Sequence, residues 1–171
     1  MNIDSFHTVI LPLQDKLFRL AYGIVREQAE AEDILQDVLL KLWSKRDEWK
    51  YIENLEAYCF RVTKNTALDK LASINVRKTG IIDPEKENLL FVDNRSPYTE
   101  MERKEQRSAI DRCIEALSEN QRSVFTLREI EGMSYREIAE ALAISEDLVK
   151  ISLHRARQKM KEMLSVYHRN E

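Results

Sequence analysis

The chain has 171 residues, 43% of them hydrophobic and 33% charged, with only 3 Gly and 3 Pro. That apolar content supports ordinary folded cores and excludes wholesale disorder, and so few turn formers exclude a β-rich fold and predict long helices, an all-α class. No apolar stretch reaches the roughly 18–20 residues that a membrane span needs, and "MNIDSFHTVILPLQDKLF" places no basic segment ahead of its apolar run, so neither a secretory leader nor membrane insertion is expected.

The first element runs from Ser5 to Val25, where Phe6, Val9, Ile10, Leu13, Leu17, Leu20, Ala21 and Ile24 recur at helical spacing. Pro12 should break or kink it. A second helix is predicted over Ala29 to Lys45. Its core stripe is Ile34, Leu35, Val38, Leu39 and Leu42. Asp33, Asp37, Leu40 and Ser44 line the opposite side, with Gln36 at its edge. A leucine set among acids on an exposed stripe suits a partner-binding face, although single exposed leucines are ordinary.

"WKYIEN" follows, with Trp49 and Tyr51 beside Lys50. These aromatics either stack on unpaired bases or simply cap the core. A third helix starts near Leu55, with Asn54 as its N-cap, and continues to about Ile74. It buries Ala57, Phe60, Ala67, Leu68 and Leu71 and shows Tyr58, Arg61, Val62, Asn65 and Asp69. Cys59 and Cys113 lie far apart within helical patterns, and His7, His154 and His168 share no ligand spacing. Packing cysteines, a reducing cytoplasmic setting and no metal or other cofactor are expected.

The texture changes across residues 77–104, of which 79–104 form the predicted linker. "RKTGIIDPEKENLLFVDNRSPYTEMERK" contains Gly80, Pro84 and Pro97 and lacks sustained periodicity, which predicts a flexible linker between two small helical domains, 1–78 and 105–171. Beyond it, Ser118 with Gln121 and Ser134 with Glu137 fit capping boxes. Gly132 marks a helix end, and Ser145 is a third N-cap, followed by Glu146 and Asp147. The predicted layout is three helices, a linker and four helices.

Charge is blocked along this layout. Lys and Arg against Asp and Glu number 6 and 9 in residues 1–48, 6 and 3 in 49–78, 5 and 7 in 79–107, 4 and 9 in 108–148, and 6 and 2 in 149–171. Two basic islands stand in a chain of net charge −3. With a Debye length of about 8 Å, such islands can hold a polyanion that the rest of the surface repels.

The last island is part of a predicted helix-turn-helix. Ile138, Ala139, Leu142, Ile144 and Val149 have the spacing that packs one short helix across another, around the turn Ala143-Ile144-Ser145. In the second helix Val149, Leu153, Ala156, Met160 and Met163 or Leu164 face the core. Lys150, Ile151, His154, Arg155 and Gln158 line the outer side, where such groups reach phosphates and base edges. Arg157, Lys159 and Lys161 would add phosphate attraction. No nucleophile–base pair, metal cluster or phosphate loop appears, so enzyme activity is not expected. A dimeric transcription regulator remains a rival reading of these residues alone.

Three segments together resemble the extracytoplasmic-function (ECF) group of bacterial RNA polymerase sigma factors. "AYGIVREQAEAEDILQDVLLKLW" resembles its core-binding segment, "NLEAYCFRVTKNTALDKL" its −10 recognition helix, and "ALSENQRSVFTLREIEGMSYREIAEALAISEDLVKISLHRARQKM" its −35-binding domain. The resemblance implies transcription initiation with core RNA polymerase and promoter DNA as partners, and an anti-sigma factor that covers these surfaces. It implies that Asp33, Gln36, Asp37 and Leu40 bind the polymerase. Lys50, Asn54, Arg61, Lys64, Asn65 and Asp69 would engage the −10 element. Lys150, Ile151, Ser152, His154, Arg155 and Gln158 would face the −35 element. The chain departs from the family's pattern in carrying Ile151 and Ser152 where small or basic residues are frequent, Ala72 where Arg or Lys is frequent, and Tyr58 for a common Trp. Ile151 suits a thymine methyl, and Arg77 and Lys78 stand close enough in sequence to replace the charge missing at Ala72. Opposed charges further suggest a packed free state, with the basic 149–171 helix against acidic surface of residues 1–48.

Overall fold

A computed structural model of the chain describes residues 2–79 and 109–169. The predicted linker, apart from Thr79, lies outside the described residues. Helix α1 (Asn2–Ser5) passes through a π turn, Phe6–Ile10, and a 3-10 turn, Leu11–Leu13, into α2 (Gln14–Val25). Pro12 lacks an N–H and its ring crowds the carbonyl four residues back. The chain absorbs this by widening one turn and tightening the next rather than by stopping. Arg26, in the left-handed region at φ 56°, closes α2, its N–H donating to the Tyr22 carbonyl at 2.8 Å.

Helix α3 (Gln28–Ser44) leads through a 3-10 turn, Arg46–Tyr51, to α4 (Leu55–Thr79). Asn54 caps α4 as predicted, its Oδ1 accepting from the Ala57 N–H at 3.0 Å. α4 outlasts its predicted end at Ile74 by more than a turn. Apolar periodicity fades there, but Arg77 and Lys78 in the last turn suit the negative end of the helix dipole. Lys41 Nζ donates to Thr66 Oγ1 at 3.1 Å, and Lys70 pairs with Glu30 at 3.1 Å, tying α3 to α4.

The second half comprises α5 (described over 109–115), α6 (Glu119–Phe125) with a following π turn, Thr126–Ile130, α7 (Tyr135–Leu142) and α8 (Glu146–Arg169). Both capping boxes form with reciprocal bonds. Gly132 sits at φ 68°, where a side chain would be strained, and so turns the chain toward Ser134. Ser145 Oγ accepts from the Leu148 N–H at 3.1 Å and opens α8.

The two halves share an interior. One continuous core contains Leu17, Leu20, Ile34 and Phe60 from the first half and Val124, Leu127, Ile138, Leu142, Val149 and Leu153 from the second. A satellite of Cys113, Leu117, Ala156 and Met160 lies under α5 and α8. α2 packs on α6, and α4 on α7. Gly23 lies at this interface, and a Cβ placed there would meet Thr126 Oγ1 at 3.7 Å, an ordinary van der Waals contact.

This packed state differs from the expected one in its charges. The basic α8 packs through its apolar side on α6 and α7 and keeps its basic side exposed. Across the interface the first half supplies the cations: Arg19 binds Glu131, and Arg26 approaches Asp111 at 3.8 Å and Glu115 at 3.6 Å. The segment totals misled here because contact depends on single residues at a packed face, not on net charge. Cys59 and Cys113 are free and buried, and burial above all pushes the Cys59 thiol up to about 12, which keeps it protonated. Among the described residues no helix is long and apolar enough to cross a membrane.

Candidate nucleic-acid interface

The helix-turn-helix is formed by α7 and α8. Ile138, Ala139, Leu142 and Val149 are buried where the helices cross. Ala143 turns the chain at φ 53°, and the Ile144 N–H donates to the Ala139 carbonyl at 3.1 Å. On α8, Val149, Leu153, Ala156 and Met160 are buried, whereas Lys150, Ile151, His154, Arg155 and Gln158 are exposed. The predicted division of faces therefore exists.

Ser152 is the exception. It is 5% exposed, and its hydroxyl accepts from Asn120 Nδ2 at 3.0 Å. The expectation that it faces DNA is corrected: one residue before Leu153 and three after Val149, it falls on the flank of α8 that meets α6. A small hydroxyl with a partner tolerates that burial.

Leu148, by contrast, is exposed and stands one turn before Ile151. The sequence reading passed over it, although adjacency to the buried Val149 already rotates it about 100° from the core. Two other cations are occupied within the fold. Arg157 donates to Glu129 at 2.7 Å, a bond that raises the arginine's pKa, and Lys159 donates to the Ala116 carbonyl. Both brace α8 against neighbouring segments.

A second face lies along α4 and the turn before it. Trp49 is 6% exposed and stacks on Phe6 with ring centroids 6.4 Å apart. Tyr51 is 78% exposed, with the Lys50 ammonium 4.8 Å from its ring centre. One aromatic caps the core and the other is free to stack, so the two readings of "WKYIEN" divide between its residues.

Asn54 does two jobs. Besides capping α4, its Nδ2 donates to Glu140 Oε2 at 2.7 Å. Lys64 Nζ donates to the Leu142 carbonyl at 3.1 Å, a cation at the C-terminal end of α7 where the dipole favours it. Arg61 lines a cleft with Arg136, Glu137 and Glu140. Three of the six expected −10 residues thus lie beside α7, although Asn54 and Arg61 stay exposed there, as Lys50, Asn65 and Asp69 are elsewhere. Arg77 lies 3.6 Å from Glu30, so part of the charge near the exposed Ala72 is used to hold α4 against α3.

The third face is on α3. Asp33, Gln36 and Asp37 are exposed, and Leu40 is 68% exposed. Trp43, one turn further on, extends this stripe, with the Arg46 guanidinium 4.8 Å from its ring centre. Sequence reasoning missed Trp43 because its neighbour Leu42 belongs to the core stripe.

A basic helix-turn-helix sharing a core with a second helical unit, itself bearing a basic, aromatic-flanked helix, defines a two-part DNA-binding protein. Comparison with known proteins sharpens that class. Sigma-70 region 2 matches residues 9–76 and Sigma-70 region 4 matches residues 107–160. The RNA polymerase sigma-E factor of Streptomyces avermitilis is 31% identical over 163 residues, covering 95% of this chain and 87% of that protein. The ECF RNA polymerase sigma factor SigW of Bacillus subtilis is 23% identical, over 94% of this chain and 89% of its own. Among solved structures, the sigma factor RpoE in complex with the anti-sigma factor NepR, from Bartonella quintana, superimposes with a TM-score of 0.65 at 25% identity, covering 94% of this chain and 97% of that one. The chain belongs to the RNA polymerase sigma factors, in their extracytoplasmic-function group.

Proposed function

We propose that this sigma factor holds core polymerase through the α3 stripe Asp33, Gln36, Asp37 and Leu40, extended by Trp43. The −10 element is engaged by Lys50, Asn54, Arg61, Lys64, Asn65 and Asp69, with Tyr51 as a stacking platform for an unpaired base. The −35 element is read by Lys150, Ile151, His154, Arg155 and Gln158. Residues 1–78 and 105–171 are the two promoter-binding units, joined by 79–104. The observation that carries the reading is the division of α8, whose apolar side is buried and whose basic side is exposed within a formed helix-turn-helix.

The protein acts in the cytoplasm as a binding subunit and catalyses no reaction itself. Its contribution is the alignment of polymerase on DNA. The RpoE relative solved with the anti-sigma factor NepR supports an anti-sigma partner for this chain. Run-off transcription with purified core polymerase on a promoter library tests the function. A promoter-specific transcript that depends on the chain is expected, and no such product on any template would refute the reading. Asp37→Ala and Leu40→Ala should each weaken binding to core polymerase in a pull-down titration. Unchanged assembly in both would remove α3 from the interface.

A further inference from the structure

We infer, resting on the sigma reading above, that Asp147 sets base specificity at the −35 element by selecting a cytosine and rejecting the other bases. The register of α8 puts this acid on the DNA side. Val149, Leu153, Ala156 and Met160 are buried at intervals of i, i+4, i+7 and i+11. A step of two residues turns a helix by about 200°, so the same intervals counted from Asp147 mark the opposite side. They fall on Asp147, Ile151, His154 and Gln158, and all four are exposed. Asp147 thus opens the row that enters the groove. It stands on the first turn of α8, and the N-terminal residues of such a helix are the ones that contact base edges. Lys150 and Arg155 flank the row on opposite sides, in reach of the phosphates.

The start of α8 does not depend on this carboxylate. Ser145 already caps the helix, its Oγ accepting from the Leu148 N–H at 3.1 Å. Glu146 offers the same charge to the helix dipole from a position about 100° round the helix. Among the described residues no hydrogen bond or ion pair holds the Asp147 side chain.

In a major groove lined by phosphates a carboxylate is repelled, and only a hydrogen-bond donor on a base edge offsets the repulsion. Guanine presents two acceptors there, and thymine an acceptor and a methyl. Adenine has an amino donor but sets the N7 acceptor beside it. Cytosine offers its N4 amino group alone, and is the base from which Asp accepts. Asp147 and Ile151 are four residues apart, about 6 Å along the helix, or about two steps of the duplex at 3.4 Å each. The cytosine therefore lies within about two base pairs of the thymine methyl suited to Ile151. Much of the selectivity is exclusion: the carboxylate weakens binding to every sequence and weakens it least at the right one.

The test uses holoenzyme assembled from the full-length chain and core polymerase, on a promoter drawn from the run-off library. Each −35 base pair is replaced in turn by the other three, and binding is read by competition. The parent should favour cytosine about tenfold at one position. Asp147→Ala should flatten that position and tighten binding to the disfavoured templates. Asp147→Asn should move the preference to adenine, whose N6 and N7 an amide meets in bidentate fashion. Glu146→Gln removes the same charge from the same helix end and should leave the profile unchanged, which separates base reading from helix stability. A parent without cytosine preference at any −35 position would overturn the assignment. So would an Asp147→Ala profile identical to the parent's, or a Glu146→Gln profile altered at the same position. In those cases promoter-specific transcription by the parent leaves the sigma reading standing, whereas a parent that yields no such transcript removes both.

Discussion

The basic sides of α4 and α8 are built from similar residues and meet different fates. Each presents basic and amide groups along one side of a long helix whose other side enters the core. On α8 those groups point to solvent, because its apolar side is fully used by α5, α6, α7 and the shared interior. On α4 part of the same kind of surface is hydrogen-bonded to α7, an eight-residue helix whose apolar face needs partners beyond its own half. An exposed polar face in a sequence is therefore only potential surface, and its availability depends on which neighbour lacks a partner.

The largest test of this contrast concerns the shared core. Phe60→Ala removes a fully buried ring and should cost about 3–5 kcal/mol in urea unfolding. A shared interior further predicts that tryptophan fluorescence, which reports Trp43 and Trp49 of the first half, and hydrogen exchange in α8 will follow one transition. Two separated transitions would make the halves independent and break the comparison.

Next in size are the DNA contacts proposed for α8. Arg155→Ala should weaken holoenzyme binding to promoter DNA by about 1–3 kcal/mol. Ile151→Ala should erase discrimination between thymine and uracil at one −35 position, read by competition with substituted templates. Ser152→Ala should instead leave −35 preference unchanged and lower stability by about 1 kcal/mol, because its hydroxyl serves Asn120 and not DNA. Altered −35 preference in Ser152→Ala would restore that residue to the readout.

The smallest effect is at the turn between α7 and α8. Ala143 occupies the left-handed region at φ 53°, which costs a residue with a Cβ about 1 kcal/mol. Ala143→Gly should raise the melting temperature by a few degrees without changing DNA binding, since the turn keeps its shape and loses its strain.

Much of the architecture was legible before any coordinates. Helix starts were clear because a cap is a local transaction: Asn54, Ser118, Ser134 and Ser145 each bond an amide within three residues, so neighbours in the chain suffice to specify them. The faces of α3 and α8 were clear because 3.6 residues per turn sorts apolar from polar positions wherever one side is buried. Ser152 and Trp43 escaped for the converse reason. Each lies at the margin of its stripe, where burial depends on the neighbouring element rather than on spacing.

Composition, periodicity and caps thus specified an all-α fold class with a basic helix-turn-helix behind an exposed acidic stripe, since all of these arise from interactions a few residues long. Only tertiary packing decided that the two halves share a core, that Arg19 and Arg26 meet carboxylates 85 or more residues away, and that α7 bonds Asn54 and Lys64. Such pairings depend on which surfaces collapse together, and the energy of that choice is spread over many contacts that no local pattern encodes.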